Sequence, residues 1–511
     1  MASKAKIRQK QDEREIKLFH EIISGKAKVA NATYERPKKP SQANRVGGAA
    51  GDETKGKLTE SYIRLLSFIL PGILAELSQI DDPRDQIKIT HSLPALILYG
   101  ILMFLSHTSS RRAANREIGG SELLEMVKEF VPDFLRMPHA DTLERLLKGI
   151  DVNELEKKYE GFVVEFIKSD QIRTLNPGRF LVAIDGTQKF SRQRCWDERA
   201  LSKNAGDPEK ERYYVYMMES VLILENGMVL PLLTETLENG ESLDDNGKQD
   251  CELKAFKRLA GRLEKILGKG CVTIVADGLY ASGPVVSICN NYNWEFMISL
   301  KKDCLKSVWE NFDGLKKIEV NNQLNVMWGE RAQEYIWSNG LEYTYGNNHK
   351  LLNLNVVTCT ETWHEQHPRK GGKPRWYISE YAWLSSQKIK SENVFKLCEM
   401  ARSRWKIENY FYVVKNNGYQ YEHCFSYDWN AMKGYHFLMK FANFINTFIL
   451  SSHLVCGYVV AEGKKGFIKK IWGYLFEHNV TEIINVKSIV GRFSLNYRYR
   501  NIFRKLELKT A

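Results

Sequence analysis

Two short runs constrain this chain more than any other feature. Residues 180–184 (FLVAI) and 272–276 (VTIVA) are apolar without alternation, and each is followed at once by Asp and Gly, at Asp185-Gly186 and Asp277-Gly278. A strand that hides one face alternates polar and apolar side chains, whereas a strand covered on both faces reads as a continuous apolar run. Both are therefore expected to be buried strands under helices, each ending in an acid that emerges at the sheet edge. The neighbouring segments agree. VYMMESVLILENGMVLPLLTETL holds two β-rich runs around Glu225, Asn226 and Gly227, a hairpin signal, and LKAFKRLAGRLEKIL is an amphipathic helix. Ser282 and Pro284 open another helix, and WEFMISLKKD is a further strand. The expected fold class is α/β: a mixed sheet with helices on its faces.

From Thr59 to about Lys168, apolar residues recur at helical spacing through YIRLLSFILPGILAEL, LPALILYGILMFL, ELLEMVKEF, TLERLLKGI and LEKKYEGFVVEFI. Asp141, with Glu144 three places on, fits an N-cap with a capping box. Residues 303–388 hold six of the eleven tryptophans, turn signals at Ser338-Asn339-Gly340 and Tyr345-Gly346-Asn347-Asn348, and alternating runs such as KLLNLNVVTCT. This predicts a β-rich insertion. Helical spacing returns from Ser391 to Lys415 and stops at Asn416-Asn417-Gly418. The expected organisation is a basic tail and linker over 1–57, an all-α region over 58–170 that can bind DNA, and a first part of the core over 171–302. The insertion follows over 303–388, then the rest of the core over 389–462 and a basic C-terminal region over 463–511.

Charge is unevenly spread along the 511 residues, whose formal net charge is +12. Residues 1–57 hold 14 Lys and Arg against 7 Asp and Glu, and residues 463–511 hold 11 against 3. A near-neutral body between two basic ends suits a polyanion partner, because Lys and Arg that neutralise phosphates release counterions. A solvated surface can carry such charge as well. Nine cysteines include no CxxC pair, so free thiols in a reducing compartment are expected, rather than a zinc module or a disulfide scaffold. The charged N-terminus lacks the apolar stretch of a secretory signal. Leu93–Leu105 is too short to span a bilayer, and 441–461 is interrupted by Asn443, Asn446 and His453. No membrane partner is expected, and the location is expected to be cytoplasmic, on the nucleoid.

Two motifs fall short. Gly51, Gly56 and Lys57 spell GxxxxGK, but Leu58 stands where a magnesium-holding Ser or Thr belongs, and no strand precedes it. His364 and His367, with Pro368, Gly371 and Gly372 close by, read as loop histidines. The constellation that can carry chemistry is Asp185, Asp277 and Glu408. Carboxylates at adjacent strand ends repel one another unless a cation offsets the repulsion. Magnesium takes oxygen ligands, and two such ions roughly 3.5–4 Å apart activate an attacking oxygen and stabilise a leaving one. Turn formation alone also accounts for two Asp-Gly pairs. In ARSRWKIENYFYVVK, Arg404, Glu408 and Lys415 share one face of a single predicted helix, with Trp405, Ile407, Tyr412 and Val413 on its flanks. Such a stripe is either a salt-bridged surface or a metal ligand between two phosphate binders.

With these residues in place, the sequence resembles the DDE transposases of bacterial insertion sequences, in the branch whose ribonuclease-H-like core is interrupted by a β-strand insertion. VAIDGT matches that family's first-acid strand, VADGLY its V-x-D-x-x-Y segment, and Arg404, Glu408 and Lys415 the last three positions of its Y-x2-R-x3-E-x6-K signature; Ala401 stands where the Tyr belongs. DDPRDQIKITHSLPALIL and PHADTLERLL look like the upstream region associated with such enzymes. The resemblance implies cleavage at transposon ends, followed by strand transfer into target DNA. Asp185, Asp277 and Glu408 would ligate two Mg2+ ions, with Mn2+ as a substitute, and Arg404 and Lys415 would grip phosphates. Trp328 and Trp337 are the candidates for stacking on a displaced base, against ordinary packing in a tryptophan-rich subdomain. The implied partners are the terminal inverted repeats, target DNA and a second copy of the chain, as a homodimer on DNA. Two alternatives stay open: a domesticated or inactive derivative that binds DNA without cutting it, and a ribonuclease-H-like nuclease or resolvase without strand transfer.

Overall fold

The structure, a computed structural model, describes residues 33–34, 52–168, 178–239, 249–365 and 375–477, apart from positions 120, 129, 205, 208, 226 and 453. Nearly all of the basic tail, the chain beyond 477, Gly51 and His367 lie outside the described residues. In chain order the elements are β1 (Thr33–Tyr34), α1 (Asp52–Leu77), α2 (Leu93–Leu105), α3 (Arg111–Glu117), α4 (Ser121–Lys128), α5 (Ala140–Gly149) and α6 (Val152–Ile167). Then come β2 (Phe180–Arg192), β3 (Leu201–Lys203), β4 (Arg212–Ile223), β5 (Val229–Leu237), α7 (Glu252–Leu267), β6 (Val272–Ala276), α8 (Gly283–Asn291), β7 (Glu295–Ser299) and α9 (Lys306–Leu315). The chain continues through β8 (Gln323–Trp328), β9 (Arg331–Tyr345), β10 (Lys350–Glu365), β11 (Arg375–Ser385), α10 (Val394–Arg402), α11 (Trp405–Asn416), α12 (Trp429–Leu450), α13 (Cys456–Glu462) and α14 (Lys464–Glu477). The fold class is as expected: mixed α/β, strands with flanking helices after an all-α region. The elements form two compact units, a helix-rich one from 42–268 and 405–511 and a strand-rich one from 1–41 and 269–404.

In the helix-rich unit α12 is the hub. Almost every residue of it is buried, and it packs against α1, α2, α5, α6 and β5. Its start is set by Asp428, whose carboxylate accepts from the Ala431 amide at 2.9 Å. Tyr159, Phe162 and Phe166 of α6 meet Phe441, Phe444 and Phe448 of α12, ring edge to ring face, at 5.0, 4.9 and 5.5 Å. The matching spacings of three, four and seven residues keep each set on one helix face, and each pair adds about 0.5–1.5 kcal/mol beyond burial. Of the polar interruptions that made 441–461 a poor membrane span, Asn446 has internal partners: it accepts from the Tyr62 hydroxyl at 2.7 Å and donates to the Leu105 carbonyl at 3.2 Å. Helix α1 is long and apolar enough to cross a membrane by length and composition. Its Tyr62, Ile63, Leu66, Ile69, Leu70 and Ile73 are nonetheless buried, and α1 packs on α2, α6, α12 and α14.

Helix α5 starts differently from expectation. His139 is its N-cap, accepting from the Asp141 amide at 3.3 Å, and Glu144 pairs with Arg111 instead of closing a capping box. Strands β2 to β5 are antiparallel, in the order β2-β4 with β3 and β5 both paired to β4. The β4–β5 hairpin turns where it was expected.

The strand-rich unit begins with the parallel pair β6 and β7, connected through α8. β11 adds antiparallel to β7, and β10, β9 and β8 follow as an antiparallel meander. The tryptophan-rich segment is thus largely strand, after the one helix α9. Tyr345-Gly346-Asn347-Asn348 does turn, but Ser338-Asn339-Gly340 lies inside β9. There Gly340, at φ 73°, accommodates a bulge where the β9–β10 register shifts.

Candidate active site

Asp185 is not at a strand end. β2 runs seven residues further, to Arg192, because its pairing with β4 continues past the apolar run through an irregularity between Gln188 and Phe190. The acid is half-buried in mid-strand, with its Oδ1 accepting from the Gly186 amide at 2.9 Å. Gly186 is a close-approach glycine: a Cβ there would meet the Tyr216 ring at 2.5 Å and the Glu252 carboxyl at 2.8 Å. Tyr216 and Glu252, joined at 2.7 Å, therefore wall the opposite face of β2, since successive side chains alternate.

Directly across from Asp185 in register is Glu219, which shares its face of the pair. Glu219 is fully buried in a polar knot that sequence reasoning missed. It accepts from the Tyr421 hydroxyl at 3.1 Å, from the Thr234 hydroxyl at 2.7 Å and from Lys440 Nζ at 3.2 Å, with His436 Nε2 at 3.2 Å. Burial pushes the Glu219 carboxyl up, but Lys440 and His436 outweigh it and hold it down to about 2. Beside it, the buried Lys189 donates to the Tyr421 carbonyl at 3.0 Å, and burial lowers its pKa to about 8. The available signals were a lone Glu inside MMESVLIL and a Lys inside the apolar helix 429–450.

The segment expected as one helix is two. α10 stops at Arg402 and α11 starts at Trp405, with a turn closed by Arg404 N to Ala401 O at 3.2 Å. Arg404 sits in that turn, so only Glu408 and Lys415 share a helical stripe. Ile407, Tyr410, Phe411 and Val414 form the buried face of α11, which packs on β2, β4 and β5. Trp405 and Tyr412, expected to cover the flanks, are 56% and 61% exposed. Glu408 is half-buried in the first turn of α11. Lys415 reaches the Gln188 carbonyl of β2 at 3.5 Å and pairs with Glu422 at 2.9 Å. The helix-rich unit thus brings Glu408 and Lys415, through α11, onto the strand that carries Asp185.

Asp277 belongs to the strand-rich unit. There it does end a strand: all of β6 is buried, and Asp277 caps the following 3-10 turn by accepting from the Leu279 amide at 2.8 Å. Lys301 Nζ stands 3.9 Å from its other oxygen. Trp337 is buried at 3% exposure, a core packing position. Trp328 is partly exposed, with the Arg402 guanidinium 5.5 Å from its ring. Arg402, two residues before Arg404, is itself anchored on the buried Glu361 at 2.8 Å and lies over Tyr381 at 4.3 Å.

Hard oxygen donors such as these three acids suit magnesium in kind. Among the described residues, no group of three or more His, Cys, Asp or Glu is assembled to hold a metal ion. The two near-motifs dissolve: Gly56 and Lys57 lie inside α1, and His364 is on strand β10, not in a loop, with its ring 4.8 Å from Trp376. The nine cysteines are free.

Comparison with known proteins adds two matches. Residues 74–163 match the family described as DDE_Tnp_1-associated, and residues 248–443 match the transposase DDE domain. The second match takes in Asp277, Arg404, Glu408 and Lys415 and leaves Asp185 ahead of it. No curated protein matches the chain. The mixed strands and flanking helices fit a ribonuclease-H-like DDE domain. The chain therefore carries a transposase DDE domain, preceded by the domain associated with it.

Proposed function

We propose that this protein is a DNA transposase of an insertion sequence, cleaving the ends of its element and joining them to target DNA. The observation that carries the reading is the transposase DDE match over 248–443, which contains two of the three acids singled out for their chemistry. The position of Glu408 and Lys415, on a helix packed against the Asp185 strand, supports it.

In this reading Asp185, Asp277 and Glu408 hold divalent metal, Mg2+ with Mn2+ as a substitute, which would polarise the attacking and leaving oxygens of a phosphodiester. The chain's own residues do the rest. Lys415, fixed by Glu422 and the Gln188 carbonyl, supplies a point charge for a phosphate oxygen, and Arg404 a fork that can hold one bidentately. Trp328, rather than the buried Trp337, is the ring that can stack on an unpaired base. Two ends must be cut together, so the working form is a homodimer on DNA.

The test uses labelled DNA carrying both ends of the encoding element, with purified protein and Mg2+ or Mn2+. End-specific nicking with joining is the expected result. Glu408→Gln should lower cleavage by several orders of magnitude with duplex affinity unchanged. Binding without cutting would favour an inactive derivative, and structure-specific cutting without joining a resolvase. Cleavage by Glu408→Gln at the unaltered rate would remove Glu408 from the site and make Glu422 the next candidate.

A further inference from the structure

The associated domain, for which no chemistry is assigned, contains a cavity of about 750 Å³ among the 3-10 turn at Gln86–Lys88, the segment that follows it, the 136–139 loop and α5. Four cations line it, Arg84, Lys88, Arg136 and Arg145, against one carboxylate, Asp85. Two of the four are neutralised: Arg84 forks onto Asp82 at 2.8 and 2.5 Å, and Lys88 pairs with Asp85 at 3.1 Å. Arg136 and Arg145 are exposed and have no carboxylate partner among the described residues; Arg145 donates only to the Thr142 hydroxyl, at 3.2 Å. His91, 5% exposed, lines the same cavity, and its buried Nδ1 has no hydrogen-bond partner among the described residues. Leaving a buried polar atom unmet is unfavourable, so a ring nitrogen in this position calls for a ligand atom. Burial, then Arg136 and Arg84, lower its pKa, so the ring is neutral at pH 7. It can accordingly donate to an anion but adds no charge.

We propose that this cavity is a second DNA contact, where Arg136 and Arg145 neutralise neighbouring backbone phosphates and His91 hydrogen-bonds a phosphate oxygen. Exposed cations at the rim suit a polymer lying across the opening, whereas small-ligand pockets are predominantly apolar within. Among the lining residues only Ile89 and Met137 are apolar. The proposal rests on the DNA reading above but not on its acids, and it gives the associated domain the task of holding duplex while the DDE domain acts.

The probe is a fluorescein-labelled random-sequence duplex, titrated by anisotropy over a range of salt. Arg136→Ala/Arg145→Ala should lower the slope of log affinity against log salt by about 1.8, roughly 0.9 per lost phosphate contact. Arg136→Lys/Arg145→Lys should keep the slope, which guards against a folding artefact. His91→Leu should weaken binding about two- to tenfold, one neutral hydrogen bond, with the slope unchanged. An unaltered slope in the double alanine variant overturns the cavity proposal while leaving the transposase reading standing. No duplex binding by the unaltered protein removes both. Displacement of the label from the cavity by inorganic phosphate at constant ionic strength, with no slope change in the variant, would make it a small-anion site and overturn the proposal.

Discussion

Glu219 shows how much a single residue can hold. Its carboxylate, opposite Asp185 in register, is met by two hydroxyls, a lysine and a histidine with no exposure to water. A buried ion pair of this kind contributes little against an apolar replacement of both partners, but breaking it from one side strands a charge. Lys440→Met should therefore cost about 3–5 kcal/mol in urea-induced unfolding. Lys440→Met combined with Glu219→Leu should recover much of that. If the single and double variants lose equal stability, the pair is not coupled and the knot acts through packing alone. The same knot fixes the floor beneath Asp185, since β4 cannot shift against β2 without pulling Glu219 from its four partners. Asp185 itself gave a clear sequence signal, an acid after a continuous apolar run. Glu219 gave only a faint one, because its partners lie 202 to 221 positions away, except Thr234.

At the scale of elements, what the sequence made legible was what depends on local periodicity. The N-terminal helices, the β4–β5 hairpin, α7, β6 and the strand-rich character of the tryptophan-rich segment were readable from spacing and turn residues, although of its two expected turns only the one at Tyr345-Gly346-Asn347-Asn348 is there. Ends were not. β2 outlasts its apolar run because ladder pairing with β4 carries it beyond Asp185, and no local pattern reports pairing. The α10–α11 break was hidden because Ser403 and Arg404 carry no helix-breaking signal. α10 docks on β7, while α11 packs on β2, β4 and β5. That break alters one expectation directly. Ala401, where the resemblance leads one to expect Tyr, is 3% exposed in α10, whose Phe395, Leu397 and Cys398 are themselves buried. Ala401→Tyr should thus overpack this face, at about 1–3 kcal/mol, and lower the thermal midpoint instead of restoring a phosphate contact. A variant as stable as the parent with raised end cleavage would show that the ring finds space beside α10 after all.

At the scale of the whole molecule, the telling property is how many histidines the helix-rich unit keeps out of water. Burial lowers His436 to about 4 despite Glu219 beside it, and burial with the nearby Lys465 lowers His107 to about 4. His91 and His423 are lowered as well, by burial first and then by arginines and a lysine around them. A histidine whose folded-state pKa lies below the unfolded value of about 6.5 refuses protons that the unfolded chain accepts. Stability is then complete above about pH 6.5 and falls as pH drops toward the folded values near 4. Glu219 acts in a lower window, losing its share only between its ordinary value and about 2. At pH 5, His107 and His436 should each withdraw about 2 kcal/mol relative to pH 7.5. Urea unfolding at the two pH values reads this directly. His107→Asn, which tolerates the positive φ of 60° at that position, and His436→Gln should each flatten the pH dependence, whatever they do to stability at pH 7.5. If both variants keep the parent's full loss between pH 7.5 and 5, the buried imidazoles are not what makes this fold acid-sensitive, and the ion-paired carboxylates must carry it instead.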